Sequence, residues 1–158
     1  MSITVRPLRP TDQLGDWLEE HWGARSVVLH GDTYGPDDLK GLVAERGEEI
    51  GGILTYAVAG DTMEVVTLDA SRRREGIGSV LVTAAVEVAR GLGLRRIRLT
   101  TTNDNLASLG FFQSNGFVLC GLRPGGAIGE PRTTAAPTPV DPLYDLTMRD
   151  EIDLELIL

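Results

Sequence analysis

Apolar and polar positions change period several times along this chain, and each change predicts an element. Residues 3–8, ITVRPL, alternate and predict an opening strand. Thr11 or Asp12 then stands where a helix N-cap is wanted, ahead of Trp17, Leu18 and Trp22. Residues 23–41 are mixed: SVVLHG predicts a short strand, and Gly35-Pro36-Asp37-Asp38 a turn into a short helix. From 42 to 69 come three β-prone runs, LVAERG, IGGILTYAVAG and MEVVTLDA. Gly-Glu-Glu and Gly-Asp-Thr turns separate them, the pattern of an antiparallel meander.

The period then switches. Over 76–92, Ile77, Val80, Leu81, Ala84, Val88 and Leu92 recur at helical spacing, and Gly91 with Gly93 supplies the stop before RRIRLTTT resumes as a strand. Strand, glycine turn, helix and strand make a crossover unit, which implies two parallel strands beside the helix. A second helix covers 106–115, followed by the strand FVLCGL. Residues 123–142, rich in Gly, Pro, Thr and Ala, are too long for an ordinary connection and read as a mobile lid or a disordered loop. The ending IDLELIL puts Ile152, Leu154, Leu156 and Leu158 on one face of a half-buried last strand. Its unpaired edge is a plausible surface for a homodimer.

Composition narrows the class. With 158 residues, 42% of them hydrophobic, the chain fits a single domain, 1–158, with a core of its own. A net charge of -8 disfavours nucleic acid and anionic membranes as partners. That charge is uneven: residues 72–98 hold seven bases against two acids, whereas 141–158 hold one base against six acids. The lone Cys120 excludes an internal disulfide, and no secretory signal or long apolar run is visible, so the expectation is a soluble cytoplasmic protein. His21, His30 and Cys120 share no ligand spacing, and no metal is expected.

The densest chemistry is Arg72-Arg73-Arg74-Glu75-Gly76-Ile77-Gly78-Ser79, at a strand-to-helix junction. Glycines at 76 and 78 remove Cβ atoms that would hold a ligand off the backbone. The first helical N–H groups and the helix dipole then face an anion, and the arginines add full charges, which together make a pyrophosphate cradle. The bland alternative is a tight turn beside a solvated basic face. A P-loop lacks its Lys-Ser or Lys-Thr pair here, and the third spaced glycine of a dinucleotide fingerprint is missing.

These residues carry a resemblance. Arg73-x-x-Gly76-x-Gly78 after EVVTLDA resembles the acetyl-CoA-binding motif of the GNAT superfamily of N-acetyltransferases. The stretch from Asn105 through Ser108 and Phe112 to Gly116-Phe117 is similar to that superfamily's second motif, and ITVRPLRPTDQLGDW resembles its opening strand and helix. The ending Arg149-Asp-Glu-Ile-Asp-Leu-Glu is similar to a subset of bacterial members. The resemblance implies a mixed α/β fold: a mostly antiparallel sheet of about six to seven strands, a parallel pair splayed around acetyl-CoA, and about four helices. It implies acetyl transfer to a primary amine by direct attack in a ternary complex. The alternative is a noncatalytic acyl-CoA-binding module.

By the same resemblance, Val66 and Leu68 line the pantetheine arm, and the N–H of Leu68 receives the acetyl oxygen as an oxyanion donor. Arg73, Arg74, Glu75, Gly76, Ile77, Gly78 and Ser79 hold the pyrophosphate, and Asn105, Ser108 and Phe112 complete the cofactor site. Asn105 is equally a helix N-cap. Phe112 stands where the family commonly has a tyrosine and has no proton to give, so Tyr34, Tyr56 and Tyr144 are the other candidates for the acid, beside solvent. Glu64 is the candidate base, direct or through water, against a solvated role beside the Asp61-Thr62 turn. Asp150 and Glu151 are candidates for binding the cationic acceptor, against a solvated edge. Cys120 fits the core better than an acyl carrier, and His21 and His30 fit the surface or the core's cover. Substrate choice falls to the variable segments 23–41 and 123–148, with a small-molecule or peptide amine as partner.

Overall fold

The computed structural model describes residues 2–29, 31–70, 76–128 and 144–158. Along them run β1 (Ile3–Pro7), α1 (Leu14–Trp22), β2 (Val27–Leu29), β3 (Asp32–Tyr34), β4 (Lys40–Arg46), β5 (Glu49–Ala59) and β6 (Thr62–Ala70). Then follow α2 (Ile77–Gly91), β7 (Arg96–Thr102), α3 (Leu106–Ser114), β8 (Val118–Arg123) and β9 (Glu151–Ile157). Seven strands form one sheet in the order β1-β4-β5-β6-β7-β9-β8, and β2 with β3 forms a separate hairpin. Among the described strands only β6 and β7 run parallel. The mixed sheet with a single parallel pair is the architecture expected. Three α-helices are found among the described residues rather than about four, because Pro10–Asp12 and Pro36–Asp38 form only 3-10 turns.

The meander forms where its turns demanded it, with β4, β5 and β6 paired in sequence. The first helix begins differently from expectation. Asp12 caps the 3-10 turn, its carboxylate accepting from the Arg9 N–H at 2.7 Å and from Arg6 at 2.7 and 2.8 Å. Gln13 then takes a left-handed conformation with φ 54° and enters α1 without a side-chain cap. Neither Thr11 nor Asp12 is therefore the cap of α1, because the chain makes one tight turn before the helix starts.

Each face of the sheet has its own core. Leu42, Leu54, Met63, Val65, Ile97, Leu99 and Leu154 meet α2 and α3 on one face. Val43, Ile53 and Val66 meet Leu14, Leu18 and Val27 on the other. The buried stripe of α2 is Ile77, Leu81, Val82, Ala85 and Ala89, rotated from the predicted one, and Leu92 is 56% exposed. The helix is apolar nearly all round, so periodicity alone underdetermines its inner face.

Two expectations fail at the far side of the sheet. β9 is not an edge: it lies between β7 and β8, so the unpaired edges belong to β1 and β8. Cys120, expected in the core, is exposed on that β8 edge together with Val118, Leu119 and Leu122. An apolar run reads as core only when its strand has neighbours on both sides. Of the long loop, residues 129–143 lie outside the described residues, as does His30. No helix among the described residues is long and apolar enough to cross a membrane.

The rotated stripe of α2 is directly measurable. Leu81→Ala, at a position with no exposure, is expected to cost about 2 to 5 kcal/mol in urea unfolding. Leu92→Ala is expected to stay within about 0.5 kcal/mol of the parent.

Candidate active site

The parallel pair is brief. β6 and β7 are in register only at Thr62↔Arg96, Met63↔Ile97 and Glu64↔Arg98. Beyond Glu64, β6 continues on β5 as far as Ala70 while β7 turns its other edge to β9. The β7-facing edge of residues 65–70 therefore has no strand partner among the described residues. A bulge marks the parting: Tyr56 pairs with Val65 and Thr55 with Thr67, leaving Val66 as the extra residue. Val66 and Leu68 thus sit on an open strand edge, able to accept an extended ligand as an added strand.

The N-terminus of α2 opens beside that edge. Gly76 has φ 81°, a left-handed conformation that favours glycine, and it gives the helix no side-chain cap. The first turn holds no acid, and among the described residues no side chain caps the N–H groups of Ile77, Gly78 and Ser79, where the positive end of the dipole favours an anion. Gly78 has a second reason to be glycine. A Cβ there would stand 2.9 Å from Cζ of the Phe111 ring, so the helix also needs the space to pack on α3. Arg73, Arg74 and Glu75 lie outside the described residues.

Asn105 is the N-cap of α3, its Oδ1 accepting from the Ser108 N–H at 3.1 Å. A cap made through oxygen still leaves the side-chain amide hydrogens to donate outward. Phe112 is only 7% exposed and packs edge-on against Phe111 and Phe117. Its ring is a core contact at the base of α3.

The face of the sheet that carries α1 is polar where β6, β7, β9 and β8 meet. Glu64, half-buried, alternates with Met63 and Val65 and so points to this face, at the last rung before the strands part. Tyr34 is close enough for the Glu64 charge to act on it: burial first, then Glu64 and Asp32, push its phenol pKa up. Next along the sheet is Asp153, its side chain 2% exposed. Arg123 donates to both of its oxygens at 2.6 and 2.8 Å, Arg98 at 2.7 Å and the Thr100 hydroxyl at 2.6 Å. Burial alone would raise its pKa, but Arg123, Thr100 and Arg98 outweigh it and hold the carboxyl well below the usual carboxylate range.

The two acids expected to meet the acceptor are engaged by the chain itself. Glu151 is buried and accepts from Arg123 Nε at 3.1 Å. Asp150 accepts from the Gly125 N–H at 2.8 Å, pinning the turn after β8. Asn103 stitches the segment entering β9, its Oδ1 accepting from the N–H groups of Arg149 and Asp150, each at 2.9 Å. Nothing local in the sequence singles out Asn103 or Asp153 for these roles. A carboxylate inside an alternating strand looks solvated until the strands carrying its arginines are laid beside it.

A further group was missed on the same face. Asp69, on β6 directly after Leu68, accepts a hydrogen bond from Trp22 Nε1 of α1, and His21 stacks on Trp17 with ring centroids 3.9 Å apart. Burial pushes the Asp69 carboxyl up, opposed by Trp22, His21 and Trp17. The available signal was an acid in an otherwise apolar strand leading into the glycine loop. No cluster of three or more potential metal ligands occurs among the described residues.

Comparison with known proteins bears on this arrangement. The model of the acetyltransferase (GNAT) family matches residues 7–117. The Bacillus subtilis protein YxbD is 33% identical over 120 residues, 75% of this chain and 76% of its own length. A Bacillus subtilis acetyltransferase solved in complex with CoA superimposes with a TM-score of 0.71 at 20% identity, covering 99% of each chain. A GNAT family acetyltransferase from Elizabethkingia anophelis with acetyl-CoA bound gives 0.69 at 17% identity, covering 99% of this chain and 98% of its own.

Asp153 sets a pH limit on the polar face. A carboxyl whose pKa is depressed by folding stabilises the fold above its unfolded pKa of about 3.9 and loses that contribution as pH falls below it. Asp153→Asn is expected to cost about 1.5 to 3 kcal/mol at pH 7, by loss of charged hydrogen bonds, and to flatten the acid limb. Thermal denaturation from pH 7 down to about pH 2 measures both.

Proposed function

Since the chain belongs to the acetyltransferase (GNAT) family and is an acetyltransferase, we propose that it moves acetyl from acetyl-CoA to a primary amine by direct attack in a ternary complex. The observation that carries this reading is the open edge of β6 beyond Glu64, lying next to an uncapped helix N-terminus. One ligand suits both: an extended amide arm ending in a pyrophosphate.

In this reading the pantetheine arm adds to the edge at Val66 and Leu68, and the N–H of Leu68 stabilises the tetrahedral oxyanion. Arg73, Arg74, Glu75, Gly76, Ile77, Gly78 and Ser79 take the pyrophosphate, with Asn105 and Ser108 at the arm and Phe112 behind it. The dominant negative charge of the rest of the chain favours approach of a cationic acceptor. Glu64 is the base. It lies four residues up the strand from Leu68, about 13 Å at the usual rise, so the proton travels through water. Asp150 and Glu151 keep their structural bonds and are not assigned the acceptor.

Phe112 offers no proton to the leaving thiolate. Tyr56 is buried in the core cluster on the α2 face and Tyr144 is exposed at the head of 144–150, which leaves Tyr34 as the protein donor this reading favours, beside solvent. The missing tyrosine also supports a second reading, a noncatalytic acyl-CoA-binding module. Thiol release on an amine panel separates the two, since the module releases none. A cytoplasmic location belongs to the same proposal. So does a homodimer, through β8 instead of the terminal strand. Sedimentation velocity on Leu119→Lys, a charge on that edge, is expected to show a dimer reduced to monomer.

Two variants test the cofactor and the base. Ser79→Glu places an anion in the first turn of α2, where it favours the helix dipole but repels a pyrophosphate. It is expected to preserve or raise the melting temperature while weakening acetyl-CoA at least tenfold in isothermal titration; unchanged affinity overturns the placement. Glu64→Gln is expected to lower kcat at least tenfold, most at moderate pH, and to spare acetyl-CoA affinity. Equal rates across pH remove Glu64 from the mechanism.

A further inference from the structure

One cluster on the α1 face takes no part in the chemistry above. Trp17 and Trp22, the chain's two tryptophans, both lie on α1 and converge on Asp69. Trp22 Nε1 donates to Asp69 Oδ2. Trp17 Nε1 is buried without a hydrogen-bond partner among the described residues, and its indole acts on the same carboxyl. His21 Nδ1 lies 3.0 Å from the Trp17 carbonyl, which accepts only, so Nδ1 carries the hydrogen and the ring is held against the Trp17 indole.

Asp153 and Asp69 make an informative contrast. Asp153 is saturated by two arginines and a threonine. Among the described residues Asp69 is paired with no lysine or arginine, and there His21 is the sole neighbour able to carry positive charge. A half-buried carboxyl of this kind is costly in its charged form unless something offsets the charge. Two indoles, an imidazole and a carboxylate without a fixed counter-ion among the described residues make up the lining that favours an organic cation: charge from the acid, π faces from the rings. The position matches, because Asp69 directly follows Leu68 on β6 and faces α1, the side that Glu64 also faces.

We propose that Asp69, Trp17, Trp22 and His21 form the subsite that receives the acceptor's amine as an ammonium ion. The proposal rests on the acetyltransferase reading and narrows it: the acceptor class is aliphatic primary amines, which are cationic at neutral pH, over aromatic amines, which are not. The ammonium is held at Asp69 before its proton leaves by way of water toward Glu64.

Because both tryptophans belong to the cluster, intrinsic fluorescence reports on it without turnover. Wild-type protein titrated with n-butylammonium is expected to give a saturable change that n-butanol, of the same shape and no charge, does not produce. Asp69→Asn keeps an oxygen for the Trp22 N–H and removes only the charge. It is expected to weaken n-butylammonium at least tenfold, raise KM for aliphatic amines with little change in kcat, and leave acetyl-CoA titration as in wild type. Burial raises the Asp69 pKa, so its charge costs stability above the unfolded value of about 3.9, and the Asn variant is expected to melt no lower than wild type at pH 7. A carboxylate serving only to tie α1 to β6 predicts the reverse: a lower melting temperature and unchanged n-butylammonium affinity, which overturns the proposal. If the Asn variant does not fold, Trp22→Phe decides, with Trp17 as the remaining fluorophore: several-fold weaker n-butylammonium supports the subsite, and equal affinity removes it. Wild-type protein that binds n-butylammonium but not acetyl-CoA overturns the acetyltransferase mechanism and leaves the cation site standing.

Discussion

The structure depends on one constraint: two parallel strands that stay together for three rungs and then part. A parallel pair buried in a sheet normally continues to the end of its shorter strand, since each abandoned rung strands backbone N–H and C=O groups. Here the facing groups beyond Glu64 have no strand partner among the described residues, and the opposite edges carry the pairing. β7 finds β9 on its other side and β6 keeps β5, so both strands remain anchored while an open edge appears between them. The bulge at Val66 adds the local twist that turns β6 away.

Everything around the gap serves to hold it open. α2 crosses from the end of β6 to the start of β7, its Ile77 and Leu81 packing under the sheet, so its N-terminus points where β6 ends. On the opposite face Asp153 gathers Arg98 from β7 and Arg123 from β8 onto β9. That network sets the position of the strands beyond the gap, and removing the carboxylate would leave two guanidinium groups facing each other. The same sheet thus has an anion-seeking side at the helix N-terminus and a carboxylate-bearing side beneath α1. Such a division suits a transfer between a polyanionic donor and a cationic acceptor.

Much of this was legible. The meander, the crossover and the glycine loop each carry a local physical cause, a turn residue or a period, and these survive translation into three dimensions. The cap on α1, the inner face of α2, the exposure of Cys120 and the place of β9 were not legible. Each depends on what lies alongside: a preceding 3-10 turn, a helix too apolar to have one obvious face, and a last strand that inserts between two others. Asp69 and Asp153 show the same limit for chemistry. Both are single acids in strands of ordinary pattern, yet one meets two indoles and the other two arginines.

The amino-acid sequence by itself determined the order of elements, the glycine turn with Gly76 and Gly78, and the family, because these follow from interactions between residues near in the chain. The tertiary structure alone decided which edge is open, which carboxylates are already engaged and which has no counter-ion among the described residues. Those properties belong to pairs such as Trp22 with Asp69, 47 residues apart, and Arg98 with Asp153, 55 apart. No local spacing encodes them, because burial and electrostatic pairing are set by distance in space.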